Sequence, residues 1–246
     1  MKKIVLLLAL CLSAGHMFAQ DADKFREAGD AALKAKDYAN VVTNYSKYLE
    51  ATNYQDTVRI YNCGFAATQA KKPAEAAKFF DMAIKYKYNI DDAYLGKAMA
   101  LRDQNKAAEF TATVEEGMKA IPENNPKRGN LEKLLYVYCI KSGQAAQKAG
   151  KYDQAEELFK DVLTVSNKKY KTNALYSAGV MYYNKAAKAL QEATPLATSE
   201  PDKYKTAKAA ADADMAKAKD FIQQALAITP GDANSKKILD AINATK

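Results

Sequence analysis

The chain has 246 residues, with 37 Lys and Arg against 29 Asp and Glu, a formal net charge of +8, 16 tyrosines and no tryptophan. It is long enough for one large domain or an array of repeats. No stretch after Leu12 approaches the ~18 apolar residues of a membrane span, which excludes one past that point. The single histidine is His16, so nothing downstream supplies the commonest general base and metal ligand.

The first element is a leader. Lys2 and Lys3 precede the apolar run Ile4–Leu12, and Ser13–Ala19 ends in a small residue before Gln20. This is the layout of a secretory signal peptide over residues 1–19, with cleavage expected after Ala19; an uncleaved anchor is the alternative. Leu8–Cys11 has the outline of a bacterial lipobox, but Leu10 stands where that motif wants a small residue. Losing two lysines with the leader lowers the net charge from +8 to +6. The ending, Phe18-Ala19-Gln20, is similar to Gram-negative leaders. The expected location is therefore the periplasm or envelope of such a bacterium, where a Cys63–Cys139 disulfide would be chemically permitted.

Beyond the leader, one phrase recurs. Taking Gly29, Gly64, Ala98, Gly143 and Gly179 as origins, position +12 holds Val41, Ala76, Phe110 and Ala155. Position +16 holds Tyr45, Phe80, Val114 and Phe159, and +19 holds Tyr48, Ala83, Gly117 and Val162. The fifth copy matches after a 27-residue skip, with Ala218, Ile222 and Ala225 at the three places. Residues spaced i, i+4, i+7 share one helical face, and a small residue on the preceding helix lets the two approach closely. One such hairpin cannot bury its stripe alone, so neighbours must stack.

The phrases at Tyr152–Leu163, Pro73–Ile84 and Phe221–Asp232 carry a resemblance. Helix-turn-helix units of about 34 residues with this small/aromatic/small pattern are similar to tetratricopeptide repeats. The departures are the absence of Trp, Val41 and Phe110 in place of Ala, and Gly117 inside a helix. The expected fold is all-α: a right-handed α-solenoid of about five TPR-like hairpins over 20–246. The repeats fall near 22–55, 57–90, 91–124, 136–169 and 172–231, and a capping helix over 232–244 turns Ile238, Leu239 and Ile242 inward.

Local signals place the helix ends. Asp91 and Asp232 are expected N-caps, Pro73 suits a first turn, and Thr229-Pro230-Gly231 ends a helix. No stretch alternates with period two, so no sheet is expected. Pro122–Asn130 reads as a turn before a long helix, Leu131–Lys148. The extra segment, about 185–214, reads as two helices extended by roughly ten residues each, joined by a loop at Thr194–Pro201.

Candidate chemistry is sparse. Cys63 and Cys139 belong to no CxxC or Cys/His cluster, and they sit on first helices two repeats apart. Packed helices lie ~8–10 Å apart, too far for a bridge, so two buried thiols are expected. Adjacent acids such as Asp91-Asp92 and Glu156-Glu157 read as solvated surface. No cofactor, metal or catalytic residue is assigned.

The resemblance implies a concave groove lined by first helices, where a protein or peptide partner binds. At its positions stand Tyr61, Phe65, Leu95, Met99, Ile140, Tyr176, Val180 and Tyr183, the candidate peptide-binding residues. Arg26, Asp30, Leu33, Thr68, Arg102, Gln144 and Gln147 complete the row. The same side chains equally suit packing against neighbouring helices. The expected function is an exported, non-enzymatic scaffold for protein–protein interaction, serving envelope complex assembly. The alternatives are a carboxylate-based hydrolase on a helical frame and a self-associating spacer. Nucleic acid is not an expected partner. Lys185, Lys188, Lys203, Lys205 and Lys208 of the insert would give weak contact with an anionic membrane surface. Oligomeric state and partner identity stay open.

Overall fold

The four glycine origins each meet the side chain sixteen positions on, or its counterpart beyond the insert. In the computed structural model, which describes residues 21–245, a Cβ on Gly29 would lie 2.3 Å from the Tyr45 ring. The corresponding distance is 3.1 Å for Gly64 and Phe80, and 2.5 Å for Gly143 and Phe159. Where the origin is Ala98 the partner position holds Val114, and both are fully buried. Each of the three rings therefore goes with glycine, and the alanine origin goes with the smaller valine. Burying each ring contributes about 2–3 kcal/mol.

The described residues are helical, with no strand among them. The leader expected over residues 1–19 lies outside them. They fall into two compact units, one ending at Arg128 and the other beginning at Gly129.

The N-terminal unit contains α1 (21–34), α2 (Tyr38–Ala51), α3 (Thr57–Gln69), α4 (Pro73–Lys85), α5 (Ile90–Asp103) and α6 (Ala107–Ala120). Successive helices pack on one another from α2 to α6, and α3 also touches α5. The +12 and +16 side chains Val41, Tyr45, Ala76, Phe80, Phe110 and Val114 are buried, as are Ala83 and Gly117 at +19. Tyr48 departs from the pattern. It stays half-buried, and its hydroxyl donates to Asp56 Oδ2 at 3.2 Å, while Leu49 fills the core beside it.

The C-terminal unit contains α7 (Pro126–Lys148), which starts at the boundary, then α8 (Tyr152–Asp161) and a 3₁₀ turn over Val162–Thr164. Next come α9 (Lys168–Ala193), α10 (Leu196–Ser199), α11 (Pro201–Ile228) and α12 (Ala233–Ala244). Ala155, Phe159, Val162, Ala218, Ile222 and Ala225 are all buried. A Cβ on Gly179 would lie 2.6 Å from Ile222, which places α9 and α11 as one hairpin across the insert. Both helices run past this contact into the projecting segment. α12 turns Ile242 into the core, with Ile238 and Leu239 half-buried against it.

The turn inside the first four hairpins repeats to the residue. At +7, Lys36, Lys71, Asn105 and Gly150 all have positive φ, between 56° and 75°. The next N–H then reaches back five residues to a carbonyl: Asp37 to Ala32 (2.9 Å), Lys72 to Ala67 (2.8 Å), Lys106 to Leu101 (3.0 Å) and Lys151 to Ala146 (2.9 Å). This left-handed cap satisfies carbonyls that the ending helix would otherwise leave open. The residue at +8 then starts the next helix.

Several local expectations change. Asp232 caps α12 by accepting from Ser235 N at 2.8 Å, and Pro73 opens α4. Asp91, expected as an N-cap, lies in the first turn of α5; Asn89, left-handed at φ 45°, is the cap. Asp91 instead accepts from Asn125 Nδ2 at 2.8 Å. The long first helix begins at Pro126 rather than Leu131, because proline's fixed φ suits a helical start. The expected loop Thr194–Pro201 contains the short helix α10.

Candidate functional site

Surface of the first helices. Val58, Tyr61 and Phe65 occur at i, i+3, i+7 on α3 and so share one stripe. Val58 is 45% and Phe65 40% exposed, unusual for large apolar side chains. Tyr61 is half-buried, its ring edge-on to Phe80 at 5.7 Å and to Tyr88 at 6.0 Å. Phe65 meets Tyr38 edge-on at 5.9 Å. On α5, which touches α3, Leu95 and Met99 occupy the same register and are half-buried. Four of the candidate residues thus lie on two adjoining helices, one side packed inward and the other free.

The other four are in the C-terminal unit. Ile140, Tyr176 and Tyr183 pack half-buried against its core, and Val180 is also half-buried. Val137, one turn before Ile140, is 51% exposed. Val58 and Val137 were not singled out in the sequence, though both stand six residues before an origin glycine. That shared offset was the available signal.

Charges around these stripes are largely compensated. Arg26 pairs with Asp23 at 3.1 Å and Arg102 with Asp103 at 2.8 Å. Lys127 Nζ donates to Asp92 at 2.6 Å. Burial raises the Tyr61 hydroxyl pKa, the Asp92 charge adds to the rise, and Lys127 opposes it.

Asp30, expected beside the groove, is committed elsewhere. It accepts from the Tyr45 hydroxyl at 2.7 Å and, through both carboxylate oxygens, from Arg59 Nη2 at 3.0 and 2.8 Å. Arg59 also donates to Asp56 at 2.7 Å, and Asp56 caps α3. Burial pushes both carboxyls up, but the hydrogen bonds from Arg59 outweigh it and hold both below the ordinary carboxylate value. Two acids that share one guanidinium and stay ionised do not form a general acid–base pair.

A related network serves the C-terminal unit. Glu156 accepts from the Tyr182 hydroxyl and pairs with Lys160 and, at 3.4 Å, Lys217. Burial raises the Glu156 pKa, yet the Lys160 and Tyr182 hydrogen bonds leave it lowered. The Tyr182 hydroxyl is pushed up to about 12 by burial and by Glu156. Glu132, only 4% exposed, accepts from Ser166 N at 3.0 Å and Asn167 N at 3.1 Å, tying α7 to the loop before α9.

Cys63 and Cys139 are both free and buried. Among the described residues no group of three His, Cys, Asp or Glu side chains is placed to hold a metal ion. No described helix is long and apolar enough to cross a membrane. In the insert, Lys185 pairs with Asp214, Lys188 with Glu192, Lys203 with Glu200 and Lys208 with Asp212, so its lysines present little net field.

No protein-family model and no curated protein matches the chain. Among solved structures, a TPR repeats protein from Bacteroides fragilis is 44% identical, with a TM-score of 0.79, over 92% of this chain and 99% of that one. The chain belongs to the tetratricopeptide-repeat family. The TPR domain of P58(IPK) also aligns, at 17% identity and a TM-score of 0.43 over 92% of this chain and 66% of that one. So does the TPR protein YrrB, at 15% and 0.40, over 92% and 95% of the respective chains. The TPR fold commonly mediates protein–protein interaction, and the all-α repeat architecture here is of that type.

Proposed function

We propose that this TPR protein is an exported, non-enzymatic scaffold that holds a protein or peptide partner against its first helices, in assembly of an envelope complex. The observation that carries the reading is the apolar stripe Val58, Tyr61 and Phe65 on α3, continued by Leu95 and Met99 on α5. Tyr61 is anchored on the core, Leu95 and Met99 are half-buried, and Val58 and Phe65 are exposed, so all five keep a face open. Amphipathic rings in this setting suit a helix or extended segment bringing apolar side chains at helical or alternate spacing. The leader layout supports export. Asp30 and Asp56, both paired with Arg59, offer no general acid for the alternative carboxylate hydrolase.

The test is crosslinking capture from envelope extract with the leaderless protein and with Phe65→Glu and Met99→Glu. A partner retained by the parent and lost from both variants supports the reading. A partner retained equally by all three removes the groove from it. Fractionation of cells expressing the full chain checks the location, and a cytoplasmic pool alone would refute export.

A further inference from the structure

The inserted segment that lengthens α9 and α11 is not needed to complete the repeat contact, which Gly179 and Ile222 already make. It does build one wall of a cavity. Leu190 from α9, Lys208, Asp212, Met215, Ala216 and Lys219 from α11, and Ile242 and Thr245 at α12 line a half-open cleft of about 440 Å³. This is within the range of small-molecule sites, about 300–1,000 Å³. The site lies wholly inside the C-terminal unit and shares no residue with the stripes described above.

Its chemistry is two-sided. Leu190, Met215 and Ile242 give an apolar floor with the exposed Ala216 beside them, and Ile242 is 5% exposed. The charged groups are two lysines and one acid. Lys208 is neutralised by Asp212 at 2.7 Å. Lys219 donates at 3.0 Å to the amide oxygen of Asn243, a neutral acceptor. Among the described lining residues, positive charge exceeds negative by one, beside an apolar floor. An apolar chain gains by leaving water for that floor, and a single anionic head gains a charge-assisted hydrogen bond from Lys219. A cationic head would meet the Lys219 ammonium, whose described partner, Asn243, is neutral.

We propose that this cavity binds a single-chain amphiphile with a monoanionic head, of the aliphatic carboxylate class. The inference stands apart from the scaffold reading and does not depend on a partner at α3 and α5.

The probe is decanoate, below the concentration at which it self-associates, titrated calorimetrically into the leaderless protein. Decyltrimethylammonium (same chain, opposite head) and acetate (head without chain) are the comparators. Decanoate should bind, acetate should not, and the cation should bind about tenfold more weakly or not at all. Lys219→Gln should weaken decanoate by about tenfold. Ala216→Trp, at an exposed position, should fill the cavity and abolish binding without shifting the melting temperature. With the unmodified protein, methyl resonances of Met215 and Ile242 should move on decanoate addition. Absence of decanoate binding, equal binding of the cation, or shifts confined to Met99 on α5 would each overturn the proposal.

Discussion

Gly179 lies so close to Ile222 that a methyl group on it would sit 2.6 Å from the Ile222 side chain. The two are the origin and partner of one repeat, separated by the inserted segment, and their contact fixes α9 against α11. Gly179→Ala should cost about 1–3 kcal/mol by overpacking. The native pair Ala98 and Val114 shows the remedy: in the Gly143→Ala background, Phe159→Val should recover part of the loss. A double-mutant cycle in urea should show coupling of about 1–2 kcal/mol; strict additivity would contradict the paired-size rule.

The Asp30–Arg59–Asp56 cluster makes stability depend on acid. Both carboxyls titrate below their unfolded value, about 3.9, so their contribution is fully present above that pH. It is lost as pH falls through the depressed folded values. Urea midpoints should therefore drop steeply below about pH 4, and Arg59→Met should flatten that limb while costing about 2 kcal/mol at neutral pH. An unchanged acid limb in Arg59→Met would show that other carboxylates set it.

Burial pushes both thiols up to about 12, with Ser46 lowering Cys63 slightly. At pH 8 neither should be a competent nucleophile. Ellman's reagent should label neither cysteine in the native protein and both in denaturant, with no change in mobility on reduction.

The left-handed turn residues give a graded test. Lys36 and Lys71 hold positive φ where the fourth repeat has Gly150. Lys71→Gly should stabilise by about 0.5–1 kcal/mol, and Gly150→Lys should cost about as much. Thermal melts of the two variants moving in opposite directions would confirm it.

Much of the fold was legible because its determinants are short-range and repeated: origin, +12 and +16 recur with matched sizes. What was missed depends on partners far along the chain. Asp91 reads as a cap in isolation, yet Asn125 holds it from 34 residues away. Asp30 sits at a groove offset, yet Arg59 draws it toward α3. Tyr61, Phe65, Leu95 and Met99 could be placed on one surface from spacing alone. How much of each stays open depends on neighbours such as Tyr38 and Tyr88, which spacing does not reveal.

The turn at +7 has a kinetic corollary. The first, second and fourth hairpins each close on a hydrogen bond spanning five residues and a ring contact spanning sixteen, so their nuclei need no distant segment to arrive first. Folding can begin at whichever hairpin forms earliest and spread to its neighbours. The α9–α11 pair, whose Gly179–Ile222 contact must wait for the whole insert to be present, is then the last hairpin to zip.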